Sequence, residues 1–429
     1  MDFSANRGSK ESDLENTSKP GAVKPVEFDF FRPEFHTDPY PLYYRLRSED
    51  PVHRSFIGGT WVLTRYADVK AVLRDRRVGT LETPKQIKDK NQYIQEKGKE
   101  LNTLAYVSSQ LLFYMNPPDH TRLRRLASKA FSSSIVVERM RPYVQETVNE
   151  LLGKVRNTGF MDIISDLAGP LPVIVIAKVL GVPHEDEDRL HHWSNVLSRI
   201  LDLLLSLGEY ERMNRVVLEF QAYFRDLIAE RVKKPKADII SALIAAREQG
   251  DKLSEDELLA TCILLFATGE ETTVNTIGNG MLALLRHPDQ MEKLKREPTL
   301  IQSAVEELLR YDSPVQITGR LALETIEIGG QTIRAGEKIL TCLGAANRDP
   351  TQFPSPDRLD LTRRENHHLA FGDGIHYCLG AGLARVQGQI AINTVIQQLP
   401  NLALHTDKLE WRKNIALRGL KSLPVTFTP

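Results

Sequence analysis

Residues 371–380 read F-G-D-G-I-H-Y-C-L-G, and this stretch decides how the rest of the chain is read. It holds Cys378, one of three cysteines in 429 residues, framed by Gly372, Gly374 and Gly380. Glycines at this density let the backbone turn where a side chain would clash and let it approach a bound group closely. Downstream, A-G-L-A-R-V-Q-G-Q-I-A-I-N-T-V-I has helical spacing. Cys378 is therefore expected just before or at a helix N-terminus, where free N–H groups and the helix dipole stabilise a thiolate. A lone cysteine is usually a small buried hydrophobe. One in an electropositive, glycine-framed loop that also carries His376 suits a metal ligand better.

The longest apolar helix begins at Ser254, which forms a capping box with Glu257. Its pattern runs without proline to about His287, roughly 32 residues or ~48 Å. The middle, L-L-A-T-C-I-L-L-F-A, is apolar all round and belongs in a core. It then carries Thr268, Gly269, Glu270, Glu271, Thr272 and Thr273. Carboxylates and hydroxyls midway along a central helix are costly unless solvated, paired or used. Thr268, Glu271, Thr272 and Asn275 share one face by three-and-four spacing. Upstream, P-P-D-H-T-R-L-R-R-L-A-S-K begins a helix at its prolines. His120 and Arg124 share one face of it, and Arg122, Arg125 and Lys129 a roughly opposite one.

The 371–380 stretch resembles the haem-binding loop of cytochrome P450. That pattern is Phe, two variable residues, Gly, one variable, His, one variable, Cys, one variable, Gly, and Phe371, Gly374, His376, Cys378 and Gly380 match it. The resemblance implies a mainly α fold with a small β-rich lobe, enclosing haem b with Cys378 as axial thiolate ligand. It places Phe371, Gly372, His376, Gly380 and Gly269 against the haem, and His120, Arg124 and Arg320 at its propionates. The 268–273 stretch is similar to the family's oxygen-activation motif, so Glu271 and Thr272 are expected to be catalytic. Thr268 departs from the usual small apolar residue, and the roles of Thr268 and Glu270 stay open. Thr268, Val315, Ile317 and Leu417 are the expected substrate contacts. Glu307, Arg310 and Arg358 correspond to a buried structural triad, with Leu359 where the family usually has Phe.

Composition narrows the partners. Lys plus Arg equals Asp plus Glu at 56 each, so no global charge argues for nucleic acid or a membrane surface. Cys262, Cys342 and Cys378 are far apart, without metal-finger spacing, and read as reduced thiols of a cytoplasmic protein. Residues 1–25 are polar and aperiodic and are expected to form a disordered arm before a single domain over 26–429. No run reaches the roughly 18 consecutive apolar residues of a membrane span. Residues 79–110 are weakly patterned and polar, the 197–207 stretch is helical, and Gly208 to Asn214 is a plausible turn. Gly329-Gly330 signals a hairpin.

The resemblance implies a soluble bacterial monooxygenase, a monomer that inserts one atom of O2 into a small organic substrate. Electrons would come from NAD(P)H through a ferredoxin and a ferredoxin reductase. The wording most resembles actinomycete-type enzymes that tailor macrolides and other secondary metabolites. Steroid, terpene, fatty-acid and carrier-bound substrates stay open. A haem sensor would not need Glu271 and Thr272, and a peroxide-driven peroxygenase typically lacks that acid–alcohol pair.

Overall fold

The computed structural model describes residues 26–429 except 97, 132, 133, 203, 204 and 249. The expected N-terminal arm lies outside the described residues. Strands from residues 52–79 and 317–342 build the β-rich lobe. In its five-stranded sheet Val52–Arg54, Trp61–Leu63, Lys338–Cys342, Ile317–Ala322 and Val78–Gly79 follow one another in space. Period-two alternation gives this sheet two apolar faces. Ile317, Leu340 and Cys342 pack on Val26, Phe28, Tyr43 and Leu46. Ala322 and Ile339 pack with Val52, Trp61, Leu63 and Val69 on the other side. The hairpin at Gly329-Gly330 forms as expected, joining Ile326–Ile328 to Gln331–Ile333 with φ of 55° and 80° at the two glycines.

The larger part is helical. Its apolar core runs through Glu255–Gly269, Glu271–Arg286, Ile301–Tyr311 and Ala381–Gln398. The Ser254 capping box is present in both directions. The central helix is not continuous, however: it breaks at Glu270, with φ −92° and ψ −74°. Thr268, Thr272, Thr273 and Thr276 each turn a hydroxyl back to the carbonyl four residues earlier. Such back-bonding bends helices, and Gly269 weakens this one at the same place.

Two local expectations differ from the structure. Gly208 to Asn214 is not a turn but the first part of helix Leu207–Lys233, started by a capping box between Ser206 and Glu209. Just before it, the helix expected across 197–207 gives way at Asp202, after the 3-10 turn Ser198–Leu201. The polar 79–110 segment contains helices Thr83–Gln95 and Asn102–Gln110, anchored by buried Ile87, Ile94 and Leu104. One run, Ile163–Leu180, is long and apolar enough on average to cross a membrane, although Asp166 and Lys178 interrupt it. Its residues are 67% buried inside the protein, so packing accounts for its composition.

Candidate functional site

The Cys378 loop is held by its own backbone. The Cys378 amide donates to the Phe371 carbonyl at 2.9 Å, and helix Ala381–Gln398 starts three residues on, after Gly380. Burial raises the Cys378 thiol pKa, while the Gly380 amide and the charges of Arg124 and Arg385 pull it down. Those are the donors and cations that stabilise a thiolate. Arg385 lies 4.4 Å over the Phe371 ring and pairs with Glu306 at 2.7 Å. Gly374 takes φ 68°, and a Cβ there would collide with the Leu73 carbonyl. Gly374→Ala should therefore cost about 1–3 kcal/mol and lower the haem content of purified protein. A thermal melt with the ratio of haem to protein absorbance checks this.

Four basic side chains converge beside the loop. His120 is buried, its ring centroid is 4.2 Å from that of His376, and neither of its ring nitrogens has a partner. His376 Nε2 is buried and unpartnered as well. Arg124 donates to the Tyr377 carbonyl at 2.6 Å. Arg320 is buried but bonds only its strand neighbours, Thr318 Oγ1 at 2.9 Å and the Gly319 carbonyl at 2.8 Å. Among the described residues none of the four is paired with a carboxylate. Burial lowers Arg320 to about 10 and His120 to about 4. Burial, then the neighbouring His120, Arg320 and Arg124, lowers His376 to about 3. A buried Arg320 without a counter-ion and orphaned imidazole nitrogens beside it favour an anionic group with acceptor oxygens among them. The cluster fits a group that carries carboxylates, and with Cys378 it fits haem.

The two motif helices pack on each other. A Cβ at Gly280 would come within 3.1 Å of Ile392 Cδ1 on the facing helix, so glycine there allows the close approach. The Thr272 hydroxyl reaches the Thr268 carbonyl at 3.2 Å, and Thr268 reaches Leu264 at 2.7 Å. The Glu271 carboxylate lies 3.9 Å from Arg412 Nη1 and receives the Ser198 hydroxyl. Burial raises its pKa, and Arg412 opposes the shift. Glu270 is buried with Oε2 unpartnered, and burial, then Glu271, pushes it up to about 8. Gly269 faces open space, since a Cβ would meet only Ile176 Cδ1 at 4.0 Å.

Of the expected substrate contacts, Val315 and Leu417 form an isolated antiparallel bridge. Ile317 does not belong with them. It is 1% exposed in the N-terminal core, on the opposite strand face from Arg320. Thr318 shares the face of Arg320 instead, as period-two alternation counted back from Arg320 would have indicated.

The buried triad uses a different arginine. Glu307 receives Arg310 Nε and Nη2, both at 2.8 Å, and Arg363 Nε at 3.1 Å. Arg358 contributes its carbonyl to Arg310, not its side chain to Glu307. The chain bends at 355–360, and that turn brings Arg363 under Glu307 while Arg358 passes it by. On the 119–131 helix, Arg122 is drawn into ion pairs with Asp251, on the short strand Asp251–Lys252, and with Glu257, in the acidic first turn of the central helix. Arg122, on the face opposite His120 and Arg124, is thus committed to an ion-pair network.

The family model "Cytochrome P450" matches residues 78–414. The chain belongs to the cytochrome P450 family. It is 44% identical to the biotin biosynthesis cytochrome P450 of Bacillus subtilis (strain 168), over 92% of this chain and 97% of that one. It is 42% identical to the polyketide biosynthesis cytochrome P450 PksS of the same organism, again over 92% and 97%. The crystal structure of P450BioI in complex with hexadec-9Z-enoic acid ligated acyl carrier protein superposes with TM-score 0.84 at 44% identity, covering 92% of this chain and 99% of that one. This P450 is a monooxygenase with the mainly helical fold and small β lobe of its family.

Proposed function

We propose that residues 26–429 form a single haem b monooxygenase domain, with Cys378 as axial ligand, that hydroxylates or epoxidises a secondary metabolite such as a macrolide or polyketide. The observation that carries the reading is the set of four basic side chains beside the Cys378 loop, His120 and Arg320 buried and Arg124 and His376 partly buried, which have no carboxylate partner among the described residues. They would hold the propionates, and the Gly380 amide and Arg124 would hold the charge on Sγ. When bound, haem supplies the redox chemistry that activates O2. Electrons would reach it from NAD(P)H through a ferredoxin and its reductase. The polyketide relative supports the substrate class.

Glu271 and Thr272 supply and place protons. The Thr272 hydroxyl is held to Thr268 at 3.2 Å, longer than the usual ~2.7–2.8 Å of an O–H···O bond. It is therefore able to exchange that partner for a substrate oxygen. Glu271 takes protons from the solvent side by general acid–base exchange. Reconstitution with ferredoxin, reductase and NAD(P)H tests the reading. Wild type should couple NAD(P)H consumption to product, whereas Thr272→Ala should still bind substrate and consume NAD(P)H but release mostly hydrogen peroxide. Full coupling in Thr272→Ala would assign the hydrogen bond elsewhere. Activity with peroxide alone and none with the electron-transfer proteins would favour a peroxygenase. Titration with free macrolides and with carrier-bound acyl chains, read by the haem spectral shift, separates the substrate classes.

A further inference from the structure

The carboxylates of the broken central helix do not end at that helix. Ser198, on the 3-10 turn Ser198–Leu201, bonds Glu271. Asp202, the residue after that turn, is close enough to Glu271 for their charges to repel. Its side chain is 6% exposed, pairs through one oxygen with Arg199 Nη1 at 2.7 Å, and leaves Oδ1 buried without a partner. Arg199 also grips Glu209, at 2.8 Å, on the first turn of helix Leu207–Lys233. Glu209 is one-third exposed and meets water. Asn414 of the C-terminal hairpin faces Asp202 from the other side, while Glu270 and Arg412 lie behind Glu271. The carboxyl groups thus run from the helix break at Glu271, through Asp202, to Glu209 at the surface.

From this geometry we infer that Asp202 is the relay carboxyl that carries protons from solvent at Glu209 to Glu271. Burial raises Asp202 to about 7, opposed by Arg199 and by a hydrogen bond from Asn414 and reinforced by Glu271 and Glu209. In the inward step the Asp202 O–H bond breaks and an O–H bond forms on Glu271, which has just given its proton to the Thr272 side. The Asp202 carboxylate left behind recovers a proton from water beside Glu209. One proton moves inward, and both carboxyls return to their starting state. Arg199 keeps Asp202 and Glu209 together, and the unpartnered Oδ1 is the oxygen left available for the transfer.

The inference rests on the monooxygenase reading, and its test keeps the two apart. Asp202 must be protonated to donate, so wild-type product formation should fall as pH rises through about 7. Asp202→Asn should slow product formation about tenfold or more, raise the solvent isotope effect and remove that pH limb. Asp202→Glu should restore the limb. Glu270→Gln should leave it in place. The reduced carbon monoxide spectrum and the Kd for substrate should match wild type in all three variants. An unchanged pH profile and isotope effect in Asp202→Asn would overturn the relay. So would a weakened substrate Kd with the pH limb intact, which would make Asp202 a tether for the Ser198–Leu201 turn. A wild-type protein without the haem–thiolate spectrum would instead defeat the underlying reading.

Discussion

Cys378→Ser is expected to abolish the red-shifted Soret band of the reduced carbon monoxide complex and essentially all monooxygenase turnover. The hydroxyl is nearly the same size as the thiol, and the loop that holds it depends on backbone contacts, the 371–378 hydrogen bond and the left-handed turn at Gly374. The fold should therefore survive, with a melting temperature close to wild type. What is lost is the ability to ionise: the Gly380 amide, Arg124 and Arg385 favour a thiolate against the cost of its burial, but an alcohol stays protonated in the same field. Haem is expected to stay bound through the basic cluster, and the absorption spectrum of the ferrous carbon monoxide adduct distinguishes loss of ligand from loss of haem. A surviving red-shifted band would remove Cys378 from the iron.

Glu307→Ala should be the most damaging single change to stability, at about 3–5 kcal/mol. Glu307 and Arg310 are both 0% exposed. The Glu307 carboxylate also accepts Arg363 Nε, Asn366 Nδ2 and the Asp360 amide. Deleting it strands a buried guanidinium and leaves those donors unpaired. The effect should reach the site, because Arg310 holds the Asn347 carbonyl at 2.9 Å and Asn347 Oδ1 receives the Leu369 amide, two residues before the cysteine loop. Glu307→Gln keeps the shape and part of the bonding and should cost less. Denaturant melts of both variants, followed by haem absorbance and by circular dichroism, check the order. A loss below about 0.5 kcal/mol for Glu307→Ala would show that the network relaxes around the gap.

Features carried by neighbouring residues were legible in the chain. The glycine spacing around Cys378, the Ser254 capping box, the Gly329-Gly330 turn and the i, i+3 pairing of Glu307 with Arg310 each depend on a few consecutive residues and their local geometry. The broken helix was half legible: the polar residues at 268–273 were evident, but an uninterrupted apolar period concealed the break. Back-bonded threonines compete with the helix only after its surroundings have set their rotamers.

The tertiary structure decided whatever required two distant segments to meet. The choice of Arg363 over Arg358 follows from the turn at 355–360, and both arginines look equally suitable in one dimension. Sheet pairing with Lys338–Cys342 put Ile317 into the N-terminal core and left Thr318 beside Arg320. The ion pairs of Arg122 with Asp251 and Glu257 cross more than 125 residues, and Asp202 and Arg412 approach Glu271 from either side in the chain. Local spacing specifies which groups can share a helix face or a turn. Which charge ends up buried beside which other is set only when packing brings separate faces together, since that is when desolvation makes the pairing matter.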